Sequence, residues 1–77
     1  MNRQARKYIS GKREVSFGQF LQVISKEPRK GIHTFYGSKK ICGTYDETVV
    51  YEYETAVEVR EELAKNCGSV SRHYYIA

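Results

Sequence analysis

Long hydrophobic runs are absent from this chain. No stretch approaches the roughly 20 apolar residues that a membrane-spanning helix needs, and no apolar run follows the basic N-terminus as it would in a secretory signal. The sequence therefore predicts a cytosolic (cytoplasmic) protein whose partners do not include a membrane.

Cysteine is also scarce. Cys42 and Cys67 are far apart, and two cysteines make neither a disulfide framework nor, with the scattered His33 and His73, a zinc site of closely paired ligands. We expect two reduced, partly buried thiols, with a single disulfide as the alternative if the protein is exported. We expect no metal and no cofactor.

The sequence motifs of common enzymes are missing. There is no Gly-x-Ser-x-Gly, no phosphate-binding glycine loop, no His-Glu-x-x-His and no Cys-x-x-Cys. Cys42 could act as a nucleophile with a histidine as its base, but any small chain that contains both residue types permits this interpretation. The sequence favours a non-enzymatic protein.

Basic residues are plentiful and unevenly placed. The chain has 77 residues, enough for one small domain, and a net charge of +4. Residues 1–40 hold ten Lys and Arg against Glu14 and Glu27, whereas residues 41–77 hold three Lys and Arg against seven Asp and Glu. This asymmetry predicts a basic surface for a polyanion, or an internal match between the two halves.

Aromatic residues lie among these cations, as they do where proteins bind nucleic acid by phosphate contacts and base stacking. We divide the chain into a basic N-terminal arm, residues 1–13, with a flexible start, and a single α+β domain, residues 14–77. Within the arm we expect a strand or a turn of helix around Arg6–Ser10. The candidate nucleic-acid-binding residues are Arg3, Arg6, Lys7, Tyr8, Lys12, Arg13, Arg29, Lys30, Lys39 and Lys40.

The first helix is predicted over residues 16–26. Ser16 and Gln19 have the spacing of a capping box, in which each side chain binds the backbone amide of the other residue. The helix should end before Pro28, which disfavours helical backbone in the preceding residue. Its buried face is predicted from the apolar residues at helical spacing, Phe17, Phe20, Leu21 and Ile24.

Three strand-like runs follow, separated by predicted turns at residues 37–39 and 46–48. The runs are Ile32–Tyr36, Lys40–Tyr45 and Val49–Tyr53, and a last strand is predicted over Val70–Ile76. In the third run, alternation places three residues on the expected core side: Val49, Tyr51 and Tyr53.

The most strongly marked stretch is Val49–Gly68, predicted as a strand followed by a helix over residues 55–66. Thr55 and Glu58 have the spacing of a second capping box, and Gly68 would close the helix. The outer face of this helix would be acidic.

Together these elements predict an α+β fold. It would be a small two-layer domain, with a three- to four-stranded, mainly antiparallel sheet and two helices on one face, in the order α-β-β-β-α-β. The order α-β-β-β-α over residues 16–66 resembles the double-stranded-RNA-binding domain. Three strands followed by a helix resemble the small DNA-binding domains of phage-type integrases. The RNA-binding family carries lysines at the start of its second helix, where this sequence has Glu54 and Glu58, so the resemblance implies the fold and not that mode of binding.

The leading expectation for function is a regulatory protein that binds nucleic acid through its basic N-terminal half. The alternative is a protein-binding inhibitor or adaptor of the phage or mobile-element type, acting through a sheet edge, a Tyr-rich patch or the acidic helix. A homodimer would suit a chain with so small a core and a Tyr-rich last strand.

Overall fold

Five strands form one antiparallel sheet in this protein. The computed structural model describes residues 1–41, 43–64 and 69–77, except the side chains of residues 38–41 and 44. The α+β class is confirmed, and the sheet has five strands rather than three or four. In chain order the elements are a 3-10 turn Arg3–Ala5, α1 Arg6–Ile9, β1 Arg13–Val15, α2 Phe17–Ile24, β2 Gly31–Ile41, β3 Thr44–Glu52, β4 Ala56–Leu63 and β5 Ser69–Ile76.

The strands lie in the order β1-β5-β4-β3-β2, and all neighbours are antiparallel. β2 to β5 form a meander, and the short β1 pairs with the end of β5. One end of the sheet carries the turn between β3 and β4 at residues 53–55, and we call it the Thr55 end. The opposite end carries the turn between β2 and β3. We call it the Gly43 end, because Gly43 has a φ of 76° that favours glycine.

The predicted helix over residues 55–66 is wrong, because Ala56–Leu63 forms the middle strand of the sheet. Val57 and Val59 alternate with charged residues, and this period of two suits β-branched side chains between neighbouring strands. Burial follows the same period: both valines and Glu61 are buried, and the residues between them are partly exposed.

Thr55 caps no helix, so the predicted capping box with Glu58 is wrong as well. The backbone amide and the hydroxyl of Thr55 both donate to the carboxylate of Glu27, the amide at 3.0 Å. This contact fastens the end of α2 to the Thr55 end of the sheet. Without the second helix the order α-β-β-β-α does not occur, so neither resemblance holds. Outside the described residues lie Gly68, Cys42 and Cys67.

Both predicted turns, at residues 37–39 and 46–48, are wrong. β2 continues through the first of them with a register shift, and the second lies inside β3. Gly37 breaks no strand. Instead, it lets the two strands approach closely, because a Cβ at this position would lie 2.9 Å from the Cβ of Asp46 on the neighbouring strand.

Replacing Gly37 by alanine is therefore expected to destabilise the fold by roughly 1–3 kcal/mol, the usual cost of forcing extra atoms into a packed site. Gly18 offers a matched control, because it lies in α2 and a Cβ there would meet nothing within 4 Å. Gly18→Ala should raise the free energy of unfolding by about 0.5–1 kcal/mol. Urea denaturation of the two variants measures both values, and equal signs would contradict this account.

One face of the sheet packs against α1 and the 3-10 turn, and we call it the α1 side. Ala5, Val50, Val57 and Val59 form its centre, and each is at most 1% exposed. Ala5 comes from the N-terminal segment, so that segment contributes to the main core. Partly buried apolar residues complete the cluster: Tyr8, Ile9, Phe35 and Tyr75.

The opposite face, the α2 side, packs against α2. The capping box of this helix is confirmed, since the hydroxyl of Ser16 accepts from the Gln19 amide and the side-chain oxygen of Gln19 accepts from the Ser16 amide. Phe20 is 1% exposed. Its ring meets Tyr53 edge-on, with centroids 5.6 Å apart, and lies 4.9 Å from the ring of Tyr74.

The two helices therefore lie on opposite faces, and the predicted two-layer arrangement with both on one face is wrong. The predicted core side is correct only in part: Val49, Tyr51 and Tyr53 share the α2 side, where Val49 is buried, whereas the main cluster contains Val50 on the α1 side. The physical reason is that β4 is a strand with valines on the α1 side. Those valines need a cover, and the N-terminal segment supplies it.

The contact between Glu27 and Thr55 predicts a pH dependence. Hydrogen bonds from the Thr55 hydroxyl and amide hold the pKa of Glu27 below its ordinary value. A lowered carboxyl pKa contributes stability that is complete above the ordinary value near 4.3 and is lost as the pH falls through the folded value. Glu27→Gln should destabilise the protein at neutral pH by about 1 kcal/mol or less, because the pair lies near solvent.

Denaturation at pH 7 and at about pH 3 should show that this difference shrinks in acid. Glu54→Gln, an exposed position in the β3–β4 turn, is the control and should change little at either pH. An unchanged cost of Glu27→Gln at both pH values would rule out the ionised bond.

Candidate nucleic-acid interface

Three of the candidate cations are carried by the N-terminal segment, which rests on the α1 side of the sheet. Arg3 belongs to the 3-10 turn, and Arg6 and Lys7 to the short helix α1. All three are exposed, whereas Ala5 between them is fully buried. The helical conformation expected around Arg6–Ser10 is thus present as α1, and its cations project from a segment anchored in the core.

Tyr8 is the aromatic residue of this segment, and it does not offer a free ring. Its ring stacks on that of His33 in β2, with centroids 4.5 Å apart and planes 20° apart, and also contacts Phe35. The Nζ of Lys7 lies 5.2 Å from the centroid of the same Tyr8 ring. Tyr8 therefore positions Lys7 above the start of β2 rather than stacking on a base.

His33 links that position to the next pair of cations. Its Nε2 lies 3.0 Å from a carboxylate oxygen of Glu52, and the backbone carbonyl of Glu52 accepts from the amide of Lys30 at 2.7 Å. The cations of α1 and those preceding β2 thus meet around one histidine. No local sequence pattern marks His33 as part of this surface, because its contact with Tyr8 spans 25 positions.

Four candidate cations share the Thr55 end of the sheet. Lys12 precedes β1, and Arg13 is the first residue of β1 and pairs with Ile76 at the end of β5. The amide of Ala77 donates to the carbonyl of Thr55, which places that corner beside the β3–β4 turn. At the other corner, Arg29 and Lys30 precede β2, whose first residue pairs with Glu52. We call Lys12, Arg13, Arg29 and Lys30 the turn-end cations.

The two corners are separated by the width of the sheet. Four strand spacings of about 4.8 Å give roughly 19 Å between β1 and β2. Arg29 is held in place by Tyr51, whose ring centroid lies 5.8 Å from the guanidinium carbon. The alternation of residues in this strand predicted Tyr51 as a core residue, so its contact with Arg29 was not predicted.

Lys39 and Lys40 are not part of the turn-end group. They lie near the far end of β2, where Lys40 pairs with Tyr45 at the Gly43 end. The candidate cations around β2 therefore form two groups at opposite ends of the strand. Only their backbone positions are described.

The acidic residues are almost all engaged within the fold. On the α2 side, Arg60 pairs with Glu47 at 3.1 Å and with Glu62 at 3.7 Å, and Arg72 lies 3.9 Å from Glu58. Burial raises the pKa of Glu58, an effect that Arg72 and Arg29 oppose. The other engaged carboxylates bind histidines, backbone or hydroxyl donors or the N-terminal amine: Glu14, Glu27, Asp46, Glu52 and Glu61. Among the described residues, only the exposed carboxylate of Glu54 has no such partner.

The Lys and Arg side chains of the N-terminal half, unlike the carboxylates, are not engaged in ion pairs within the fold. Within the described part of the chain, the only Lys or Arg side chains that pair with a carboxylate are Arg60 and Arg72. Lys7 and Arg29 contact aromatic rings, which carry no net charge, and Arg29 also attracts the Glu58 carboxylate without forming an ion pair with it. No ion pair is made by the described side chains of Arg3, Arg6, Lys7, Lys12, Arg13, Lys26, Arg29 and Lys30.

A cavity of about 330 Å³ lies on the α1 side towards the Gly43 end. The carboxylate of Asp46 in its wall accepts from the Ala64 amide at 2.7 Å, and that of Glu61 lies 3.3 Å from the N-terminal amine of Met1. An acidic wall does not suit a phosphate, so the cavity is separate from the candidate interface.

Metal-ligand clusters and membrane-spanning helices are both absent from residues 1–41, 43–64 and 69–77. No three His, Cys, Asp or Glu side chains of these segments are grouped as metal ligands. Neither does a helix in them have the length and apolar character that crossing a bilayer requires.

Comparison of the chain with protein-family models, with curated proteins and with solved structures found no match.

Proposed function

We propose that this protein binds nucleic acid through the turn-end cations, which recognise the negative charge of its phosphates. The observation that carries the proposal is the contrast in charge pairing. Eight of the nine Asp and Glu carboxylates bind groups of the protein itself, whereas the described Lys and Arg side chains of the N-terminal half pair with no carboxylate. The net positive charge is therefore concentrated in side chains that are free to meet phosphates.

The spacing of the turn-end cations supports an extended phosphate backbone as the ligand. Two pairs of cations roughly 19 Å apart match the axial length of about five or six base pairs, at 3.4 Å per phosphate along one strand. A compact anion such as a single phosphate would touch only one corner. Lys7 and Arg6 extend the surface onto α1.

The proposed mode is backbone binding without base stacking by Tyr8. That ring already stacks on His33 and contacts Phe35. Sequence-independent contacts to phosphate supply most of non-specific affinity. The expected ligand class is therefore duplex or single-stranded nucleic acid recognised by charge.

A protein partner is the second candidate, because apolar side chains are exposed on the α2 side. Ile32, Tyr36 and Val70 of the sheet are 51%, 67% and 45% exposed, and Phe17 and Leu21 of α2 are 52% and 44% exposed. Exposed apolar residues rimmed by ion pairs are typical of protein-binding surfaces. The acidic helix that the sequence predicted for this role does not exist, so a partner would meet the sheet.

The test is a titration of labelled duplex DNA, single-stranded DNA and RNA. We expect binding at about 50 mM salt that weakens linearly on a log–log plot as salt is raised. Absence of binding to all three at this salt would overturn the proposal. A nuclease-treated pull-down with the purified protein then addresses the second candidate.

A further inference from the structure

We propose that β2 is a self-pairing edge, through which two copies of this chain join in an antiparallel, two-fold symmetric contact centred on Thr34. β2 is the last strand of the sheet on its side among the described residues. Its partner β3 binds only one edge of the strand. The other edge presents backbone donors and acceptors to solvent.

The hydrogen-bond pattern identifies which backbone groups point outward. The Tyr53 amide donates to the Ala56 carbonyl, so residues 53, 51 and 49 of β3 turn their backbone groups towards β4. The residues between them turn towards β2, in agreement with the bond from the Lys30 amide to the Glu52 carbonyl. Gly31, His33 and Phe35 therefore bind β3, and the outward groups belong to Ile32, Thr34 and Tyr36.

These three outward residues are complementary to themselves in one register. Centring the contact on Thr34 pairs each Thr34 with its copy and each Ile32 with the Tyr36 of the other copy. Within each of these pairs, the amide of either residue donates to the backbone carbonyl of the other. The side-chain pairs formed are Thr with Thr and a β-branched residue with an aromatic, two combinations that stabilise antiparallel strands.

Between Gly31 and Gly37 the edge lacks the usual features that prevent such pairing; those of β2, a register shift and two lysines, lie after Tyr36. From Gly31 to Gly37 the strand contains no Lys, Arg, Asp, Glu or Pro. Ile32 and Tyr36 are 51% and 67% exposed, and Thr34 is exposed. The other sheet edge differs, because β1 covers the end of β5 and Arg72 lies on the remainder.

The register has one consequence for ligand binding. It brings the Arg29–Lys30 segment of one copy towards the Lys39–Lys40 segment of the other, since these flank the paired residues at opposite ends. Two cationic groups that are separate in one copy would then adjoin. This consequence rests on the proposed function, whereas the dimer itself does not.

Sedimentation of the protein without nucleic acid tests the dimer. A two-strand contact is small, so we expect a dissociation constant between roughly micromolar and millimolar. Thr34→Pro removes an outward amide that β3 does not use, and Thr34→Lys sets two like charges opposite each other. Each variant should raise the dissociation constant about tenfold or more. Gln22→Lys, the same added charge at an exposed position of α2 away from β2, should leave the constant unchanged.

Amide exchange adds a second readout that does not depend on the variants. The amides of Ile32, Thr34 and Tyr36 should gain protection as the protein concentration rises, while those of His33 and Phe35 stay protected throughout. A monomer at about 1 mM, or a dimer that Thr34→Pro and Thr34→Lys leave intact, would overturn the proposal. So would concentration-dependent protection that appears on β5 instead. Because both experiments omit nucleic acid, their results are independent of the proposed function.

Discussion

Replacing Phe20 by alanine is expected to cost about 3–5 kcal/mol of stability, the usual range for a buried aromatic residue. Phe20 is 1% exposed and is held between the rings of Tyr53 and Tyr74. It is the largest fully buried side chain of α2, and it joins that helix to both β5 and the β3–β4 turn. A domain of this size has a total stability of roughly 4–12 kcal/mol, so this one change should remove about a quarter of it or more.

The matched control lies on the same helix. Phe17 is 52% exposed and touches only Tyr74 among the aromatic rings near it. Phe17→Ala should cost about 1 kcal/mol or less, because little apolar surface is buried there. Urea denaturation followed by circular dichroism compares the two. Similar midpoints for both variants would show that α2 does not pack through Phe20.

The second large effect concerns the turn-end cations. Changing Arg29 and Lys30 together to alanine should weaken nucleic-acid binding by about tenfold or more at low salt. The salt slope should fall by roughly one for each phosphate that is no longer neutralised. Neither side chain pairs with a carboxylate, so their removal leaves no carboxylate unpaired. Fluorescence anisotropy with labelled duplex across a salt series measures both quantities.

Two controls test whether binding depends on the charges at the Thr55 end of the sheet or on the net charge of the protein. Arg72→Ala removes one cation that faces Glu58 on the α2 side and should leave the salt slope unchanged. Glu54→Gln removes the exposed carboxylate beside the turn-end cations and should tighten binding. Equal losses per removed charge from Arg29→Ala/Lys30→Ala and from Arg72→Ala would mean that binding follows net charge and uses no defined surface.

Local sequence chemistry predicted some elements of this fold well. The helix around Phe20 carries its own signals, a capping box at Ser16 and Gln19 and a stop at Pro28, and α2 occurs where they place it. The last strand was placed within one residue of its start. The signals that mark α2 join residues close together in the chain, and β5 is marked by the alternation of its own residues.

The middle strand β4 could not be predicted in the same way. Val59 and Leu63 have helical spacing, but Val57 and Val59 have strand spacing, so the pattern of this stretch fits both structures. The decision depends on partners in β3 and β5, which flank the strand on both sides. Thr55 illustrates the point: its hydroxyl binds Glu27, which is 28 positions away, rather than a neighbouring amide.

The candidate site was likewise predictable only in part. The cations of the N-terminal half could be predicted from the sequence, because the excess of Lys and Arg is visible without any knowledge of their contacts. Their grouping required the sheet order, which brings residues 12–13 and 29–30 to one end. The supporting roles of His33 and Tyr51 also depend on contacts across the fold.

The most direct measurement of the central claim is a nuclear magnetic resonance titration of the labelled protein with a short DNA duplex at low salt. Amide shifts should be concentrated at residues 12–13 and 29–30, with smaller shifts along α1, and should disappear as salt is raised. Shifts centred on the ion-paired residues of the α2 side, Glu47, Glu58, Arg60 and Glu62, would contradict the account. So would a spectrum that the duplex leaves unchanged.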